Sequence, residues 1–229
     1  SHLTDRLLEQ GYEVRILDTL SPQVHGPDAE RPAYLSPEAE LIVGDIQDRP
    51  TVQRALRGGD AVYHFAARVG VGQSMYRIAD YTGNNVAGTA VLLEALAEQP
   101  VERLVVASSM SIYGEGLYSD SGGNRVSGRR TEHQLRAGDW DLRNSAGEAL
   151  DPLPTPESKT PDLASVYALS KYDQERLCLM VGQAYDIPTV GLRFFNVYGE
   201  RQALSNPYTG VLAIFASRLL NGKPPLIFE

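Results

Sequence analysis

The strongest constraint in the chain is an alternation, in which short β-rich runs are separated by longer stretches of helical spacing. Residues 13–18, 40–44, 61–66, 103–108 and 189–194 read as strands, and 49–57, 84–99, 165–185 and 209–221 as helices. Strands this uniformly apolar are expected to be buried on both faces of a parallel sheet, with the helices as crossovers. A doubly wound α/β fold follows, on one domain of 229 residues. Leu3, Leu7 and Leu8 keep helical spacing ahead of a Gly11 stop, and 225–229 is a strand-like run without a following turn. Both ends therefore read as cut, as in a fragment of a longer protein. Residues 118–161 break the alternation with Gly122-Gly123, Trp140 and the series Pro152, Pro154, Pro156, Pro161. This marks a surface insertion over about 116–161, and loops of such length tend to be functional.

Composition narrows the partners. Lys and Arg total 21 against 29 Asp and Glu, a net charge of −8 with no block of like charge, so a nucleic-acid partner is not expected. The apolar run 211–216 is far shorter than the roughly 18–20 residues that span a bilayer, so no membrane partner is expected. A lone Cys178 cannot form an internal disulfide, and His2, His25, His64 and His133 have no ligand spacing. No metal site is expected, and the cytoplasm fits this cysteine usage.

Among candidate chemical groups, Asp18 closes the run Val14-Arg15-Ile16-Leu17-Asp18. An acid at such a strand end can hold the adenosine ribose of a dinucleotide, although a solvated turn is the commoner role. Gly70-Val71-Gly72-Gln73-Ser74-Met75 imitates a glycine loop but has Met75 where the third glycine belongs, and it follows a later strand. The strongest signal is Tyr167-Ala168-Leu169-Ser170-Lys171 at a helix start. A separation of four puts phenol and ammonium on one face, where the positive charge is expected to lower the Tyr167 pKa and make a general base. Ser109, at the carboxyl end of a strand, can share the same substrate hydroxyl or simply act as a cap.

Asp18, Gly44-Asp45-Ile46, His64-Phe65-Ala66-Ala67, Asn85-Val86-Ala87-Gly88-Thr89, 107–114 (AlaSerSerMetSerIleTyrGly), Tyr167 to Lys171 and Arg193-Phe194-Phe195-Asn196-Val197-Tyr198-Gly199 occur in this order. Together they resemble the extended short-chain dehydrogenase/reductase family, in its NAD-dependent sugar-nucleotide epimerase and dehydratase branch. The resemblance implies a Rossmann-like sheet, and the family's first strand, its glycine loop and its carboxyl-terminal substrate part are not found here. It also implies NAD as cofactor, with Asp45 and Ile46 flanking adenine, Asp18 on the ribose, and Phe65, Ala66, Ala67, Asn85 and Phe195 lining the channel. Ser109, Tyr167 and Lys171 become the catalytic set, Tyr167 and Lys171 also meeting the cofactor. Ser109, Ser111, Tyr167 and Asn196 would meet a nucleotide-sugar substrate. For His64 and Asn196 the residues alone leave the plainer readings open, a satisfied core histidine and a turn.

Ser111 bears on the branch. The family's dehydratases and uronate decarboxylases carry Glu there, and a serine cannot exchange protons as a carboxyl group does near pH 7. NAD-dependent 4-epimerisation through a transient 4-keto sugar is the favoured reading; dehydration or decarboxylation, or a scaffold without catalysis, are the alternatives. The long insertion and the run 201–208 resemble the dTDP-L-rhamnose 4-epimerases more than the shorter UDP-galactose enzymes. Family members pair through the helix that carries Tyr167, so a homodimer is expected; its stripe Leu169, Tyr172, Arg176, Leu179, Met180 reads equally as a core face.

Overall fold

Every strand expected from the alternation forms. In a computed structural model, described for residues 1–27, 30–202 and 210–226, the chain begins with α1 (His2–Glu9), β1 (Arg15–Asp18), α2 (Pro22–His25), β2 (Glu40–Val43) and α3 (Arg49–Leu56). β3 (Ala61–His64), α4 (Val71–Ser74), α5 (Ile78–Tyr81), α6 (Gly88–Glu98) and β4 (Arg103–Ser109) follow. Next come β5 (Leu117–Ser119), β6 (Arg125–Val126), α7 (Glu132–Ala137) and β7 (Asp151–Leu153), and then α8 (Val166–Ala184), β8 (Thr189–Phe194) and α9 (Val211–Leu220). The run 203–208 and the end of the 225–229 run lie outside the described residues.

Local chemistry explains the helix starts. Asp48 caps α3 by accepting from the Thr51 amide at 3.2 Å, with proline in the first turn where a missing N–H costs nothing. Ser165 caps α8 by accepting from the Ala168 amide at 3.0 Å. The helix expected from residue 84 starts differently: a π-helical turn, Thr82–Ala87, leads into α6. Such wide turns recur at functional sites.

The chain divides into two compact units. In the first, Ser1–Ser109 with Ser165–Leu226, all strand pairs are parallel: β1 with β2, and β3–β4–β8 in that order. The ladders thus form two sheets within a doubly wound α/β arrangement. The core joins Val52 and Leu56 of α3, Leu92, Leu93 and Leu96 of α6, Leu104 and Val106 of β4, and Cys178 of α8. Gly182 lets α8 approach the start of β8, because a Cβ there would fall on the Thr189 hydroxyl.

Burial on both sheet faces was the expectation, and it is corrected for β3 and β8. The core-forming helices cover the face of Leu104 and Val106, while Tyr63, Val190 and Leu192, in register on the opposite face, remain 43%, 50% and 38% exposed. An apolar run alone does not tell a strand with two covered faces from one with a single covered face.

The second unit, Met110–Ala164, contains the insertion. It is an antiparallel sheet in the order β6–β5–β7, with α7 closed by a capping box between Thr131 and Gln134 and by left-handed Gly138. Exposed ion pairs, Arg130–Glu115, Arg143–Asp139 and Arg129–Asp162, tie its loops.

Candidate active site

Ligands of open parallel sheets collect at the carboxyl ends of the strands. In the first unit β4 ends on Ser109, which is 8% exposed, and Tyr167 lies in the first turn of α8 with its hydroxyl hydrogen-bonded to the Ser109 side chain. The Tyr167 amide donates to Ser74 Oγ at 3.0 Å, and its ring meets Tyr81 edge-on at 6.4 Å. These contacts fix the phenol from α4, α5 and β4 at once.

The expected lowering of the Tyr167 pKa is corrected. Burial pushes the phenol up, and the Ser109 hydrogen bond opposes this only in part. The Lys171 ammonium, one turn further along, is 3% exposed and donates to Gln174 Oε1 at 2.5 Å. Burial brings this ammonium down to about 8, against an opposing influence from Cys178, whose thiol burial pushes up to about 12.

Beneath this pair lies a polar layer within the core. Gln174 and Thr89 are fully buried, and Gln174 Nε2 donates to Thr89 Oγ1 at 2.9 Å and to the Ala66 carbonyl at 3.2 Å. Thr89 Oγ1 donates to the Asn85 carbonyl at 2.6 Å and lies 2.7 Å from His64 Nε2. Burial drives the His64 pKa down to about 3, and the nearby Lys171 charge pushes it the same way, so the ring is neutral. His64 is a satisfied core residue. Sequence reasoning missed Gln174, Thr89, Ser170 and Ser74, because only tertiary contact reveals their partners.

The remaining predicted positions divide by exposure. Asp18 is exposed at the end of β1 and accepts from the Leu20 amide at 2.8 Å, with Leu20 in the left-handed region at φ +47°. Asp45, half-buried after β2, accepts from the Gln47 amide at 2.8 Å and borders a cavity of about 120 Å³ that Arg68, Asp80 and Asn84 also line. Ala66 and Ala67 are half-buried; Phe65 is 44% exposed and meets Phe194 edge-on at 6.1 Å. Phe195 and Asn196 are exposed just past β8.

Two residues expected along the cofactor channel have other duties. The Ile46 side chain belongs to the hydrophobic core. Asn85 is fully buried, with its amide committed to the Arg68 backbone, 2.6 Å from N and 3.0 Å from O, and to Ser170 Oγ at 2.9 Å. Ser111 is half-buried on a 3₁₀ turn of the second unit. Along α8, Leu169, Arg176 and Met180 are exposed while Ala168, Lys171, Gln174 and Cys178 face inward, so the Leu169–Met180 stripe is not the core face.

The model of the NAD dependent epimerase/dehydratase family matches residues 1–133 and 144–229. The chain belongs to this family. Among the relatives of this epimerase/dehydratase chain is a dTDP-L-rhamnose 4-epimerase from Burkholderia thailandensis, 34% identical over 96% of the chain and 61% of that protein. A putative UDP-glucose 4-epimerase from Methanocaldococcus jannaschii is 29% identical over 100% of the chain and 62% of its own length. Among solved structures, UDP-glucose 4-epimerase of Thermus thermophilus in complex with NAD has a TM-score of 0.71 at 31% identity, covering 97% of the chain and 60% of that structure. UDP-glucose 4-epimerase of Thermotoga maritima with UDP-glucose reaches a TM-score of 0.75 at 26% identity, over 100% and 62%. The chain therefore spans about three fifths of the relatives it matches. Uronate decarboxylase and dehydratase relatives also occur.

Proposed function

We propose that the chain carries the core of an NAD-dependent 4-epimerase of nucleotide-diphospho-sugars, of the dTDP-L-rhamnose or UDP-glucose type. The observation that carries the reading is the Tyr167–Ser109 hydrogen bond at the end of β4, with Lys171 one helical turn away. Relatives that are 4-epimerases support it, and Ser111 in place of a carboxyl group speaks against elimination.

The residues present fit NAD. Asp18, Asp45 and Phe65–Ala67 stand at or just past the carboxyl ends of β1, β2 and β3. Asp18 offers an exposed carboxylate that would accept from a ribose diol and repel a 2′-phosphate. When bound, NAD supplies a hydride acceptor. Tyr167 takes the proton of the sugar 4-hydroxyl and later returns it, and Ser109 shares that hydrogen bond. Burial favours the neutral phenol, so the base form of Tyr167 needs the Lys171 charge brought to bear on it. Asn196 would meet the pyrophosphate.

The reading extends to a homodimer through the exposed Leu169–Met180 stripe and to a cytoplasmic setting, where a single reduced Cys178 is at home. Sedimentation that finds only monomer at micromolar concentration removes the dimer. The function is tested with protein expressed from its whole gene and a panel of UDP- and dTDP-sugars deuterated at C4. Label is expected to remain on C4 of the inverted product. Tyr167→Phe and Lys171→Ala should each slow turnover by about 10²–10⁴-fold. Washout of the label, or reduced cofactor accumulating in step with product, would overturn the proposal.

A further inference from the structure

Among the described residues, the Lys171 ammonium has one hydrogen-bond acceptor, Gln174 Oε1 at 2.5 Å. The orientation of that amide is dictated from behind. Its nitrogen faces the Ala66 carbonyl at 3.2 Å and Thr89 Oγ1 at 2.9 Å, and Thr89 spends its own proton on the Asn85 carbonyl. A flipped amide would set oxygen against the Ala66 carbonyl and NH₂ against the ammonium, two repulsive contacts in a fully buried layer. The oxygen therefore has to face Lys171.

We propose that Gln174 is a positioning residue for Lys171: anchored by Thr89 and Ala66, it holds the ammonium with a neutral acceptor and leaves its other two N–H bonds for incoming hydroxyl groups. The inference rests on Lys171 belonging to the active site. The neutrality of the acceptor is what matters. A carboxylate in its place would form a buried ion pair and compete with the hydroxyls, whereas an amide binds the ammonium without neutralising it. The titratable groups that feel the Lys171 charge are His64 from β3 and Cys178 from α8 itself; α6 brings uncharged Thr89 against Gln174.

The test reads the lysine directly. The ζ-amine of Lys171 is titrated by nitrogen-15 NMR in protein expressed from its whole gene, and its signal is assigned by its loss in Lys171→Met. Gln174→Met, close to isosteric but without an acceptor, should lower the protonation constant about tenfold, and Gln174→Glu should raise it about tenfold. Thr89→Val, which releases the anchor, should move it in the same direction as Gln174→Met. In turnover, Gln174→Met should lower kcat more than it raises KM, and Gln174→Glu should shift the pH profile of kcat upward. An unmoved titration in both Gln174 variants overturns the inference, as does movement in one direction in both. The titration needs no substrate: opposite shifts without turnover of any nucleotide sugar would keep the Gln174–Lys171 coupling and remove the epimerase reading. Turnover without shifts would do the reverse.

Discussion

Between Ser1 and Ser109, and from Ser165 onward, the decisive polar side chains lie inside the core: Asn85, Thr89 and Gln174 are fully buried, and His64 and Lys171 each 3% exposed. In Met110–Ala164 one ammonium is buried, Lys159 donating to the Tyr113 carbonyl at 2.6 Å, but most of the polar contacts lie at the surface, as Arg–carboxylate pairs and as side chains folding back on their own turns, such as Asp120 accepting from the Gly122 and Asn124 amides. The difference is one of dielectric. A buried polar group has no water to fall back on, so removing its partner costs the full desolvation penalty; an exposed pair exchanges protein for solvent at little net change. The first unit is thereby built to hold side chains in fixed positions, and the second to keep a loop folded.

The comparison is tested most severely by acid. His64 has a folded pKa of about 3 against 6.5 for the free side chain. Between those values the unfolded chain binds a proton that the folded chain refuses, so stability falls as the pH drops below about 6.5. The loss is about 2–3 kcal/mol by pH 4.5 and continues towards pH 3. Denaturant melts at pH 7 and 4.5 measure it, and His64→Asn should flatten the dependence. A slope unchanged by that substitution would show that the buried layer is wetter than its geometry implies.

A similar cost is expected at Glu175, which is 4% exposed and receives Arg193 through both oxygens at 2.7 and 2.9 Å, as well as Ser108 at 2.5 Å. Burial alone would push this carboxyl up, but the Arg193 and Ser108 hydrogen bonds outweigh it and hold the pKa low. Glu175→Ala strands the guanidinium between β8 and α8 and should cost about 3 kcal/mol in the same melts. Asn85→Ala, which leaves the Arg68 backbone and Ser170 without partners, should cost about 2 kcal/mol. The smallest effect belongs to the second unit. Asp162→Asn removes the partner of Arg129 and should move the melting temperature by no more than about 2 °C, less still in 0.5 M salt. A larger, salt-insensitive drop would break the contrast between the units.

The sequence displayed what is local or periodic. The strands and the Tyr167–Lys171 spacing could be read because each depends on neighbours a few residues away. The Thr82–Ala87 turn could not, since its wider period does not match the 3.6-residue template. Short α4 and α5 were hidden in the same way, each being only four residues long. Gln174 looked like one more polar helix residue, and only contacts with Thr89, 85 residues away, and Ala66, 108 residues away, make it a core group. The Tyr167 pKa was misjudged because spacing reports which charge is near and says nothing about burial.

The glycine at 182 gives α8 the character of a lever. Its missing methyl group sets how closely the far end of the helix lies on Thr189, while Tyr167 stands 15 residues earlier, about 22 Å along a rigid rod. Prying that end up by about 5° would swing the phenol by about 2 Å, and displacements of that order erase rate enhancements of a hundredfold or more. Gly182→Ala would then behave in an assay as damage to Tyr167, the proposed base, although the altered atom never comes near it.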